Sequence, residues 1–159
     1  MDDPRWLDES EHGAWCSYIA MHARLMAQLH RQLQHDAGLS LADYDVLSQL
    51  TNHPAGRARV FELVEALQWE QSRLSHHLKR MQGRGLVTRE YCPDDGRAAL
   101  VVLTPEGRSA IEHAAPRHVA AVRDLVFDVL TPDQVAGLRA VAEAVLDRIE
   151  ARDDGSAAT

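Results

Sequence analysis

Apolar residues recur along this chain at helical spacing in five places and at strand spacing in two. From Glu9 to His35, Trp15, Ile19, His22, Leu25/Met26, Leu29 and Leu33 share one face, with Tyr18 beside it. That pattern predicts a long amphipathic helix. Asp36-Ala37-Gly38 ends it, and Ser40 followed by Asp43 forms a capping pair for a second helix over Leu41–Leu50. After the loop Asn52-His53-Pro54-Ala55-Gly56, Arg57–Arg59 is a candidate short strand. Val60–Leu67 then reads as a helix with Phe61, Val64 and Leu67 inward, and Gln68-Trp69 as the turn after it. In the next helix Leu74, Leu78 and Met81 form the buried face. Gly83 and Gly85 end that helix, and Leu86–Tyr91 and Ala99–Leu103 are β-prone runs joined by Cys92-Pro93-Asp94-Asp95-Gly96-Arg97, which predicts a hairpin. Thr104-Pro105-Glu106 starts a helix reaching about Leu130, which Pro116 should kink or split. Thr131-Pro132-Asp133 starts the last, apolar at Val135, Leu138, Val141, Ala142, Val145, Leu146 and Ile149, to about Glu150. Residues 151–159 are small and polar and are expected to be disordered.

The polar positions of the fourth helix carry the chemistry. Arg73, His76 and Arg80 line one outward face and Ser72, Ser75 and Lys79 another. Gln71, Ser72, Arg73, Ser75 and His76 fall in the first two turns, the part of a recognition helix that meets base edges in a major groove. Arg suits guanine, Gln suits adenine and Ser suits either. Glu70, at the helix start, either caps it or accepts from a cytosine amine. A lone Arg97 on a narrow hairpin has the right shape for a minor groove. Asp95, two residues earlier, is placed to hold its guanidinium extended.

These residues carry a resemblance. Leu74-Ser75, Leu78 with Arg80-Met81, Gly85-Leu86-Val87 with Arg89, then Pro93-x-Asp95-x-Arg97 and Val102-Leu103-Thr104 with Gly107 resemble the winged helix-turn-helix of MarR-family transcriptional regulators. The chain departs from the pattern at Ala98, where many relatives have Gly after the wing Arg. The resemblance implies a mainly α fold with a small β-hairpin wing, a winged helix-turn-helix plus a helical dimerisation region. The expected division is an N-terminal dimerisation helix over 1–36, a DNA-binding domain over 37–104, C-terminal dimerisation helices over 105–150 and the tail. The implied function is a cytoplasmic, homodimeric, sequence-specific repressor that binds a palindromic operator in double-stranded DNA. The alternative is a winged-helix protein-interaction module without sequence-specific DNA binding.

Charge first argues against DNA, since the net charge is −7 and phosphate neutralisation supplies most non-specific affinity. Its distribution changes that. Residues 57–97 hold eight Lys/Arg against six acids, while the remainder holds nine against eighteen. A mildly basic reading face on an acidic body should depend on specific contacts more than on bulk attraction.

The two cysteines, Cys16 and Cys92, are too few for a disulfide framework. On a helix His12 lies one turn before Cys16 and, if protonated, favours its thiolate. Some relatives sense organic peroxides through a cysteine on this first helix, and relatives that bind aromatic acids often present an Arg near the corresponding Trp, so Trp15-Cys16 favours oxidation over an anionic ligand. Cys92 is expected to pack within the wing. Relatives bind small effectors in a cleft between the helical region and the winged domain, where Trp15, Tyr18, His22, Tyr44 and Arg59 are the candidates. The nine histidines are not spaced as a metal site: His113 and His118 are five apart across Pro116, and His76-His77 point different ways. No cofactor is expected. The sequence has no phosphate-cradling glycine loop, nucleophile elbow or HExxH helix, so no enzyme is expected. With no long apolar run and no signal-peptide pattern at Met-Asp-Asp-Pro, neither membrane insertion nor export is expected.

Overall fold

The structure is a computed structural model that describes residues 4–53, 55–91 and 99–157. The chain forms two compact units, residues 1–119 and 120–159.

In the first unit, α1 (Glu9–Ala37) begins at a capping box in which Asp8 accepts from the Glu11 N–H at 2.8 Å and Glu11 accepts from the Asp8 N–H at 3.0 Å. Gly38 ends α1 at φ 63°, its N–H returning to the Gln34 carbonyl. Helix α2 (Leu41–Asn52) starts at the Ser40/Asp43 box read from the sequence. There follow β1 (Arg57–Arg59), α3 (Val60–Leu67), α4 (Gln71–Gly83), β2 (Val87–Tyr91), β3 (Ala99–Leu103) and α5 (Pro105–Leu125).

The sheet is antiparallel in the order β1-β3-β2, with Ala58 opposite Val101 and Thr88 opposite Val102. Beneath it lies one core, in which Leu33, Leu47, Leu50, Leu63, Leu74, Leu78, Met81 and Val101 are all inaccessible or nearly so. Each such leucine contributes about 1.5–3 kcal/mol, so α4 is seated by its apolar stripe. Thr104 joins hairpin to helix. Its hydroxyl donates to the Gly85 carbonyl at 2.6 Å and lies 2.9 Å from that of Leu86, and it accepts the Gly107 N–H at 2.9 Å.

Four expectations change. Phe61 is 59% exposed and Leu63 is the buried residue of α3, while Val64 and Leu67 pack against the core as expected; the helix is rotated so that Leu63, not Phe61, faces the core. Pro116 does not split α5. The core packing of Ile111 and Ala114 anchors the segment before it, and the helix stops at Leu125, short of Leu130, giving way to a 3₁₀ turn over Phe127–Val129. On α1, Leu29 and Leu33 are buried but Trp15, Tyr18 and Ile19 are exposed, since nothing among the described residues covers the first half of that face.

The fourth change lies in the second unit, where α6 (Pro132–Ala157) continues past Glu150 through the tail expected to be disordered. No proline interrupts it, and extending an existing helix is far easier than nucleating one. At its start the Thr131 N–H donates to Gln134 Oε1 at 2.9 Å, and the Gln134 N–H to Thr131 Oγ1 at 3.3 Å. Val141, Val145 and Leu146 are all more than half exposed. No helix among the described residues is long and apolar enough to cross a membrane.

Candidate nucleic-acid interface

Burial on α4 falls on Leu74, His77, Leu78 and Met81, the i, i+3, i+4, i+7 set of one helical face. The other faces are thereby turned outward. Gln71, Ser72, Arg73, His76, Lys79 and Arg80 are exposed and Ser75 is half-buried, so the structure brings together the whole set expected on this helix. Glu70 occupies the N-cap position but its side chain makes no capping bond.

Two guanidiniums on that surface are held from beneath. Arg73 lies 4.3 Å over the Trp69 ring, a cation–π contact that limits its rotamers. Arg80 Nη2 is 2.9 Å from His77 Nδ1. A guanidinium only donates, so Nδ1 accepts and the imidazole proton sits on Nε2, which is 3.1 Å from Asp43 Oδ1. The Trp69 ring meets His77 edge-on at 5.5 Å. Asp43, although buried, is drawn three ways: Oδ1 faces His77, while Oδ2 accepts from the Ser40 N–H at 2.8 Å and from Arg84 Nη1 at 2.7 Å. Burial pushes its carboxyl up, but the His77, Ser40 and Arg84 contacts outweigh that and hold it well below the usual carboxylate range. Arg84 Nη2 also donates to the Gly38 carbonyl at 2.8 Å, tying the ends of α4 and α1 to the start of α2.

Above this network is a cavity of about 380 Å³ lined by Ala42, Trp69, Ser72, Arg73, His76, His77 and Arg80. Asp45 flanks it on α2. Burial raises its carboxyl, opposed by Arg73 and His77. On the hairpin, Arg89 Nη2 reaches the Ser75 carbonyl at 3.4 Å and Arg57 lies 3.6 Å from Glu90. Cys92, Asp95 and Arg97 lie outside the described residues.

His77, Asp43, Arg84 and Trp69 were missed as site residues by the sequence reading. One signal was available: position 77 falls on the apolar stripe three residues after Leu74 and four before Met81, and a buried imidazole needs polar partners.

The effector and redox candidates separate into two places and a junction. On exposed α1, Cys16 Sγ is 3.6 Å from His12 Nε2, and Trp15, Tyr18 and His22 stack in sequence at 5.8 and 6.1 Å. Tyr44 packs on His118 at 4.3 Å, where burial raises its phenol and lowers that imidazole. Arg59 sits at the β1–α3 junction, its N–H donating to Glu62 at 2.6 Å.

A family model for the MarR family matches residues 37–98, and solved structures match over most of the chain. Sco3205, a MarR family transcriptional regulator from Streptomyces coelicolor solved in complex with DNA, is 41% identical, with 92% of each chain covered and a TM-score of 0.88. The chain belongs to the MarR family. AbsC, another MarR family regulator from S. coelicolor, is 34% identical over 93% of this chain and 99% of its own, also at a TM-score of 0.88. The transcriptional regulator HosA from Escherichia coli O111:H- is 35% identical over 94 residues, 58% of this chain and 68% of that one. Against two further curated regulators the alignments span 55% and 69% of their lengths. The MarR family is one of transcriptional regulators, not enzymes, and its model spans α2 to the hairpin, the segment that builds the outward face of α4.

Proposed function

We propose that the protein is a homodimeric repressor that binds a palindromic operator through α4 and the hairpin, and that a small effector or oxidation releases it. The observation that carries this reading is the outward face of α4. Gln71, Ser72, Arg73, Ser75, His76, Lys79 and Arg80 share it, two of them braced by Trp69 and His77. Groups held in place lose less entropy on docking than free side chains do. Similarity to Sco3205, which was solved on DNA, supports the same assignment. The minor-groove contact expected from the sequence for Arg97, with Asp95, belongs to the same proposal. With two reading heads on successive turns, the half-sites lie about 34–36 Å apart. Release begins either at the Trp15/Tyr18/His22 ladder with Tyr44 and Arg59, or at Cys16 beside His12.

Selection of sheared genomic DNA by the purified protein, followed by gel shift on the enriched sequence, tests the reading. A palindrome is expected. Arg73→Ala with Arg97→Ala should reduce its affinity by at least about thirtyfold, two lost base contacts at about 1–3 kcal/mol each, without changing the oligomeric state. Peroxide in the same assay should release wild type and not Cys16→Ser. Absence of any enriched sequence from folded, reduced protein would favour a protein-interaction module instead, and equal release of Cys16→Ser would end the redox branch.

A further inference from the structure

We propose that His77 is a positioning residue for operator recognition: its buried Nδ1 lone pair holds the Arg80 guanidinium in the pose that engages DNA. This rests on the reading of Arg80 as a DNA contact.

His77 has no direct route to DNA. It is 6% exposed, at the floor of the cavity that both it and Arg80 line. The 2.9 Å approach of Arg80 Nη2 to Nδ1 uses one arm of the guanidinium and leaves the rest of the fork for a phosphate or a base edge. Such an acceptor works only while Nδ1 is unprotonated. Asp43 Oδ1 stands 3.1 Å from Nε2, off hydrogen-bond geometry, and its charge favours the tautomer with the proton on that nitrogen, which leaves the lone pair toward Arg80. Asp43 is itself fixed by Ser40 and Arg84. The charged groups around the ring are Asp43 and Asp45 from α2 and Arg73, Arg80 and, through Asp43, Arg84 from α4. Trp69 closes the remaining side edge-on.

Asn and Gln separate this role from simple packing. In His77→Asn the side-chain amide reaches the place of Nδ1 and can present a carbonyl to Arg80. In His77→Gln it reaches the place of Nε2, keeps a donor toward Asp43 and leaves Arg80 without an acceptor. Operator affinity would be measured by gel shift, with thermal melting as the check on folding. His77→Gln should weaken binding about tenfold, the loss of one positioned charged hydrogen bond, and His77→Asn by less than about threefold on the same scale. In an Arg80→Ala background His77→Gln should add nothing.

Equal losses for Gln and Asn, or a Gln effect that persists without Arg80, would overturn the proposal and leave His77 a packing residue. If Arg80→Ala binds the operator as tightly as its parent, the contact reading of Arg80 fails and the proposal with it. Should His77→Gln not fold, His77→Asn decides alone, and a loss of about tenfold or more in operator affinity overturns the proposal.

Discussion

Asp43 uses two oxygens to serve three elements. It completes the capping box of α2, faces the imidazole of α4 and, through Arg84, reaches the end of α1. Its folded pKa lies below the ordinary 3.8, so the stabilisation it gives is fully present above that unfolded value and is lost as pH falls through the folded one. Asp43→Asn keeps the size and much of the cap but removes the charge that Arg84 answers. Arg84 is half-exposed and can turn to solvent, so the loss lies below that of a fully buried pair, and urea unfolding at pH 7 should show about 1.5–3 kcal/mol, the range for a hydrogen bond to a charged group. Between pH 5 and 2 wild type should lose stability more steeply than the variant; equally steep profiles would mean that other carboxylates carry the acid sensitivity. Only half of this was legible in the sequence. Ser40 and Asp43 announced a cap because both partners lie within four residues. The bonds to His77 and Arg84 join positions 34 and 41 apart, and no local pattern reports such a distance.

At the scale of elements, the outward set on α4 was readable because Leu74, Leu78 and Met81 fix the rotation of the helix, and rotation decides which side chains face out. Phe61 was misread for the complementary reason. An eight-residue helix offers two plausible apolar faces, and the entry from β1 chose Leu63. The joint between hairpin and α5 depends on a residue whose spacing fitted the family pattern but whose physical role needed coordinates. A Cβ at Gly107 would collide with the Leu86 carbonyl and lie 2.9 Å from Leu103 Cδ1. Backbone cannot yield as a side chain can, so Gly107→Ala should force β2 and α5 apart. Overpacking of this kind costs about 1–3 kcal/mol, which should appear as a lower melting temperature. Because β2 follows directly from α4, operator affinity should fall as well. An unchanged melting temperature would show that the joint relaxes freely.

For the whole molecule, charge and exposed apolar surface point to the same assembly. Only residues 57–97 carry an excess of positive charge, on a chain of net −7, so a single reading head gains little from non-specific phosphate attraction. Two linked heads compensate, because the second binds at the effective concentration set by the first. In the proposed dimer the linking surfaces are apolar residues that stay open to solvent within each unit: Trp15, Tyr18 and Ile19 on α1, and Leu138, Val141, Val145, Leu146 and Ile149 on α6. Soluble monomers rarely leave apolar patches beyond a few hundred Å² uncovered, and obligate homodimers bury about 2,000–5,000 Å² of such surface. Val141 and Val145 lie one turn apart on α6 and are 65% and 55% exposed, so carboxylates there should leave the fold of the first unit intact while repelling a second copy. Val141→Asp with Val145→Asp should therefore sediment as a monomer at micromolar concentration, retain the helical circular dichroism of wild type, and lose at least about a hundredfold in operator affinity. A double variant that stays dimeric would move the interface off α6. A monomer that binds as tightly as wild type would show that one head suffices, and the expected palindrome would lose its physical basis.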